Sequence, residues 1–200
     1  MAFLTACYWQ AENRNSLLLR RFVVKGIPVV FACIWREEKE EEKEIARILE
    51  SWFQEFPFGK GKRRRERLLR AQGEKLKNML EKSENRGIGG LFYLKNQGFL
   101  FGSGGMQLRL INQAMGKTCL GENLFSEEGF TLLFGEVQSE TSFLLLGESL
   151  SEVGGEGLKN VLAPWETGEE RQVKRRMKEL GALWEKRGQE DVTAVLCCYR

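Results

Sequence analysis

The residues this chain lacks narrow its chemistry first. It contains no histidine, which removes Ser–His and Cys–His nucleophilic catalysis and every imidazole metal site. It contains a single aspartate, Asp191, among 28 acidic residues, so a mechanism built on several short carboxylates is closed to it. The apolar run Val29–Ile34 passes through a corner into a helix that opens on an acidic run. Here the corner reads Trp35-Arg36. A second concentration of chemistry is the basic stretch Lys60, Lys62, Arg63, Arg64, Arg65, Arg67 and Arg70. It reads as a solvated loop and helix start. Cations at the positive end of a helix dipole nonetheless point to an acidic neighbour, and Lys62, Arg63, Arg64, Arg65 and Arg67 form the patch that would meet it. Nucleic-acid binding is the other use of such a run. Gly102-Ser103-Gly104-Gly105 lacks the lysine and following helix of a phosphate loop and reads as a tight hairpin turn.

The elements that would position these residues follow from periodicity. Val29–Ile34 is unbroken in its apolarity, as expected of a strand buried on both faces. The acidic run from Glu37 to Glu44 opens a helix with Ile45, Ile48, Leu49, Trp52, Phe53 and Phe56 along one stripe. Strands are predicted over Phe3–Trp9 and Ser16–Val24, with Lys25-Gly26-Ile27-Pro28 as a turn. A second helix is predicted over Arg64–Lys82, with Leu68, Leu69, Leu76, Met79 and Leu80 on one side. Short apolar runs then punctuated by glycine suggest strands at Leu91–Leu94, Phe99–Phe101, Met106–Ile111, Phe130–Phe134 and Ser142–Leu146. Helices are expected over Leu150–Leu162 and Glu169–Lys186, and a last strand over Asp191–Tyr199. Runs of like elements indicate an α+β protein with antiparallel sheets and helices packed outside.

Two hundred residues, 42% of them hydrophobic, suit one domain over positions 1–200. The five cysteines contain no Cys-x-x-Cys pair, so buried reduced thiols are expected rather than a disulfide framework. A net charge of +3 implies no polyanion partner by itself. No apolar run approaches the roughly 20 residues that span a bilayer, and Met1–Trp9 carries no basic leader. A soluble cytoplasmic protein with no membrane contact is expected.

Three segments, within Phe143–Val153, Arg187–Leu196 and Val30–Ala46, and a weaker fourth, Asn13–Ser16, resemble the PPM (PP2C-type) metal-dependent serine/threonine protein phosphatases. Phe143-Leu144-Leu145-Leu146-Gly147-Glu148-Ser149-Leu150 is similar to that family's strand ending in Ser-Asp-Gly-Leu. Gly188-Gln189-Glu190-Asp191-Val192-Thr193 is similar to its closing Asp-Asn-(Ile/Val)-Thr strand. Val30–Arg36 with the helix behind it stands where the family has a strand and Asp-Gly-Met-Gly-Gly. Asn13-Arg14-Asn15-Ser16 lies near its Asn-Glu-Asp-Ser. The resemblance implies an antiparallel β-sandwich flanked by helix pairs, in α-β-β-α layers, with two manganese or magnesium ions held by aspartates at one edge.

At the matching positions those aspartates become Asn15, Trp35, Glu148 and Glu190, and a glycine whose carbonyl contacts metal becomes Arg36. Hard dications need anionic oxygens at short fixed distances, about 2.1 Å for Mg²⁺. An amide brings no charge, an indole no usable lone pair, and glutamate reaches one methylene farther. The resemblance with these losses implies a pseudophosphatase that binds a protein partner, needs no cofactor and turns over no phosphoester. Trp35 reads as an aromatic plug, and Glu148 and Glu190 either stand solvated or pair with Arg36. Two alternatives remain: a divergent phosphatase using Glu148, Glu190 and Asp191 around Mn²⁺ or Mg²⁺, and an unrelated α+β module binding nucleic acid through its basic segment.

Overall fold

The computed structural model describes residues 3–10, 15–36, 44–58, 62–82, 87–103, 105–114, 117–125, 129–137, 141–147, 169–189 and 192–199. These form ten strands and three helices. The strands are β1 (Phe3–Trp9), β2 (Asn15–Val24), β3 (Ile27–Arg36), β4 (Ile88–Leu94), β5 (Gln97–Ser103), β6 (Gln107–Ala114), β7 (Lys117–Asn123), β8 (Thr131–Glu136), β9 (Ser142–Leu146) and β10 (Thr193–Tyr199). The helices are α1 (Glu44–Glu55), α2 (Lys62–Leu80) and α3 (Glu170–Lys186). The helix predicted over Leu150–Leu162 lies outside the described residues.

All pairings are antiparallel, in two five-stranded sheets. The first runs β1-β10-β9-β6-β7 and the second β2-β3-β4-β5-β8. The expected α+β sandwich is therefore present, with α1 and α2 over the second sheet and α3 over the first.

Strand alternation explains why β3 is apolar throughout. Val29, Phe31, Cys33 and Trp35 pack in the cluster beneath α1 and α2, while Val30, Ala32 and Ile34 pack between the sheets. Strand β10 repeats the arrangement, with Ala194, Leu196 and Cys198 toward α3 and Val195 and Cys197 toward the other sheet. A period of two with both faces covered leaves no position for a polar residue.

The α1 stripe buries Ile45, Leu49 and Trp52. The Trp52 indole also donates to the Gln72 carbonyl of α2 at 2.7 Å, locking the two helices together. Helix α3 docks through Gly181, where a Cβ would stand 2.1 Å from Cε2 of Tyr8 on β1. Only a residue without a side chain lets that ring lie on the helix.

Two turns differ from each other instructively. Lys25 and Gly26 both have positive φ, 50° and 73°, the signature of a two-residue hairpin whose twist matches its strands. The Gly102–Gly105 stretch is not the hairpin expected of it. Gly102 is a β5 residue paired with Gly89 and Thr131, and the chain leaves β5 in the second sheet to enter β6 in the first.

Candidate functional site

The ends of several strands meet at one rim of the sandwich. Asn15 opens β2 and pairs with Arg36, the last residue of β3; Trp35 pairs with Ile88 at the start of β4. The Arg36 amide donates to the Gly87 carbonyl at 2.7 Å. In the other sheet, β9 ends at Leu146 opposite Ala194, and the Gly147 amide donates to the Thr193 carbonyl at 2.9 Å.

The two sheets touch where Asn15 meets Gly147. A Cβ built on Gly147 would lie 3.1 Å from Asn15 Nδ2 and 3.4 Å from the Thr193 carbonyl oxygen. Asn15 is 6% exposed and Thr193 fully buried. Of the residues singled out in the sequence, Asn15, Trp35 and Arg36 are thus brought to this rim, with Gly147 and Val192 directly beside Glu148 and Asp191 in the chain. Glu148, Glu190 and Asp191 themselves lie outside the described residues.

Gln10, the residue after β1, ties the closing strand to it. Its amide donates to the Val192 carbonyl at 3.2 Å, and its Oε1 accepts from the Val192 amide at 2.9 Å. Its Nε2 donates to the Gln189 carbonyl at 3.4 Å. The chain is thereby held on both sides of Glu190-Asp191.

Trp35 packs into the core rather than over the rim. It is 5% exposed and belongs to the cluster beneath α1 and α2, with Ile45, Leu49 and Ile88. Side chains alternate along a strand, and this one turns toward the helices. Its role as a plug in the core matches the reading of the residue itself. Among the described residues its buried Nε1 has no hydrogen-bond partner. Arg36, one step on and half buried, has the parity of the residues between the sheets.

The described part of the rim is poor in chemistry. Among the described residues, no three His, Cys, Asp or Glu side chains are grouped as a metal ion requires. An amide, an indole turned away and a guanidinium do not fit a dication, so no metal-dependent step can be built from them. Burial pushes the Cys33 thiol, two residues before Trp35, well above its ordinary range, and it stays protonated rather than acting as a nucleophile. Burial raises the Cys197 thiol as well, with Cys198 adding to the effect.

The basic segment lies elsewhere. Along α2, Glu66, Leu69 and Arg70 line a groove of about 310 Å³ with Gln97 of the β4–β5 hairpin and Phe134 and Glu136 of β8. Those are the strand ends opposite the Asn15–Arg36 rim, as the pairing of Val29 with Leu94 and of Gln97 with Glu136 requires. Arg64 and Arg67 are exposed, as a solvated helix start requires, but Arg65 is 8% exposed. It shares the helix face of Leu69, Leu76 and Leu80, at steps of four and seven that no reading of charge alone reveals.

No protein-family model and no curated relative matches the sequence. Solved structures do. PppA, described as a key regulatory component of T6SS in Pseudomonas aeruginosa, superposes with a TM-score of 0.61 at 14% identity, covering 100% of this chain and 99% of that one. The serine/threonine phosphatase Stp1 from Staphylococcus aureus gives a TM-score of 0.61 at 12% identity, over 98% of this chain and 94% of that one. The phosphatase domain of SpoIIE from Bacillus subtilis gives 0.61 at 8% identity, over 98% and 90%. The fold is that of the PP2C-like PPM serine/threonine phosphatases.

Proposed function

We propose that this chain is a degenerate PPM-type phosphatase domain, a pseudophosphatase that works as a regulatory or protein-binding module. The observation that carries the reading is the rim itself. The strand ends that the sequence resemblance matches to the family's aspartates carry Asn15, Trp35 and Arg36, with the asparagine packed onto Gly147. In a two-metal site the ions generate the attacking hydroxide and a bridging carboxylate holds them together, and Asn15, Trp35 and Arg36 supply no carboxylate. The superposable PppA, described as a regulatory component, supports a partner of protein type. The reading places the domain in the cytoplasm; no helix among the described residues is long and apolar enough to cross a membrane.

The test is hydrolysis of p-nitrophenyl phosphate by the full chain with Mn²⁺ or Mg²⁺. No turnover above the metal-only rate is expected. Metal-dependent turnover that Glu148→Ala abolishes would overturn the reading.

One observation favours a second reading, a divergent phosphatase with Glu148, Glu190 and Asp191 around one ion. The Gln10 hydrogen bonds hold residues 189 and 192 at the rim, and a rigid backbone there serves a ligand as well as a scaffold. That reading requires Asp191→Asn to remove turnover together with Glu148→Ala.

A further inference from the structure

Strand β8 closes one side of the second sheet, and among the described residues no strand pairs with its outer edge. The Val137 amide donates to the Asn96 carbonyl at 2.8 Å, continuing the register that sets Gln97 opposite Glu136 and Leu100 opposite Leu133. Backbone groups alternate sides along a strand, so those of Leu132, Phe134 and Glu136 point away from β5. Natural edges are blunted by lysine, proline or a bulge. This one reads Thr-Leu-Leu-Phe-Gly-Glu, pairs with β5 in unbroken register and leaves Leu133 39% exposed.

Each face of the strand borders a hollow. Toward α2 lies the groove of about 310 Å³, lined by Leu69 and Phe134. Its Arg70 is committed, 5.1 Å from the Phe134 ring centroid and 3.4 Å from Glu66. Glu136 is exposed and joins no ion pair among the described residues. Toward the other sheet lies a second hollow of about 140 Å³, walled by Leu100, Leu110, Leu133, Val137 and Phe143. Gly135 shares the parity of Leu133 and Val137, and a Cβ built on it would meet nothing within 4 Å, so that hollow is open there.

From this we infer that β8 takes an extended segment of a partner protein as an added strand, one whose side chains alternate between basic and aliphatic. Side chains of a strand alternate faces, so an added strand sends one set toward Glu136 and the α2 groove and the other toward the hollow between the sheets. Main-chain bonds to the edge supply affinity, and the two hollows supply selection. Apolar cavities of about 150 Å³ take benzene, so the smaller hollow accepts a valine or leucine side chain. On the other face the Glu136 carboxylate selects lysine or arginine. A second copy of this chain fits less well. In antiparallel self-pairing about a two-fold axis, residues of one face meet each other. Glu136 would then meet Phe130, Leu132, Phe134 or its own copy, never a cation. The inference rests on the protein-binding reading above but not on the state of the rim, which lies at the opposite strand ends, so either can fail alone.

The experiment is a fluorescence-anisotropy titration of a labelled, capped peptide, Lys-Val-Lys-Val-Lys-Val, with the full chain. Its controls are Lys-Lys-Lys-Val-Val-Val, of the same composition, and Glu-Val-Glu-Val-Glu-Val. Saturable binding is expected for the first peptide, about tenfold tighter than for either control. Methylating the amides of its lysines or of its valines should abolish binding in one case only, because alternate N–H groups face β8. Glu136→Lys should weaken the Lys-Val peptide about tenfold and strengthen the Glu-Val peptide. The methylated pair needs no variant, so a folding defect in Glu136→Lys leaves the test intact. The inference is overturned if the scrambled peptide binds equally well, or if both methylated peptides bind like the parent peptide. It is also overturned if sedimentation velocity finds a dimer that Leu133→Lys dissociates and that saturating Lys-Val peptide leaves intact, which would assign the edge to a second copy.

Discussion

An aspartate at position 35 should damage the protein rather than create a metal site. The Trp35 indole is 5% exposed and packs beneath α1. A tryptophan buries roughly 150–250 Å², worth about 4–6 kcal/mol at about 25 cal/mol per Å². Measured Trp→Ala losses in cores, about 3–5 kcal/mol, agree. Trp35→Asp forfeits this area and adds a carboxylate facing apolar neighbours, against a whole-domain stability of about 5–15 kcal/mol. Trp35→Asn loses the same area with no titratable group and isolates the charge. Burial would raise the folded-state pKa of the new carboxyl above its unfolded value of about 3.9. Its penalty is absent below that value and grows as pH rises through it. Urea midpoints of the Asp and Asn variants, followed by circular dichroism, should therefore coincide near pH 4 and separate by pH 7, with Asp the weaker. Equal midpoints at pH 7, joined by stabilisation of the Asp variant by Mn²⁺, would refute the placement of this side chain. Trp35→Phe serves as the mild case. It removes the unsatisfied buried N–H along with some area, and should cost under about 1 kcal/mol.

Other outcomes follow from the same packing. Gly181→Val should cost about 1–3 kcal/mol by overpacking against the Tyr8 ring, measured as a lower urea midpoint, and Tyr8→Ala should recover part of it. Trp52→Phe removes the indole bond to the Gln72 carbonyl and should cost about 0.5–1.5 kcal/mol for that bond, read as a lower urea midpoint. In a Cys119→Ser background, a thiol reagent at pH 8 should label the exposed Cys7 quickly. Cys33, Cys197 and Cys198, all buried, should react only on unfolding, because burial holds Cys33 and Cys197 protonated. Fast labelling of more than one thiol in the folded protein would contradict the burial of the sheets.

Much of the fold was legible because both sheets are covered. Continuous apolar runs at Val29–Ile34, Leu91–Leu94 and Ser142–Leu146 could only be strands with two buried faces, and all three are strands. The stripe from Ile45 to Trp52 likewise located α1. Strand β7 was missed. It is an edge strand reading Lys-Thr-Cys-Leu-Gly-Glu-Asn, and an edge needs no apolar run to be held in place. The Gly102–Gly105 turn was misjudged because glycine signals a turn without saying which sheet the chain enters next.

The rim was legible only in part. The resemblance located Asn15, Trp35 and Arg36, but the contact of Asn15 with Gly147 joins strands from different sheets and leaves no local pattern. Gln10 acts through its amide on residues 189 and 192, distant in sequence. The direction of the Trp35 indole depends on strand parity, which an apolar run on both faces conceals. Arg65 was hidden by its basic neighbours, and the apolar period of Leu69, Leu76 and Leu80 was the signal that could have found it.

The central proposal is that the rim at Asn15, Trp35 and Arg36 holds no metal ion. Isothermal calorimetry of the full chain with Mn²⁺ tests it most directly. The expected result is heats indistinguishable from dilution. Saturable binding that Glu148→Ala or Asp191→Asn removes would contradict it.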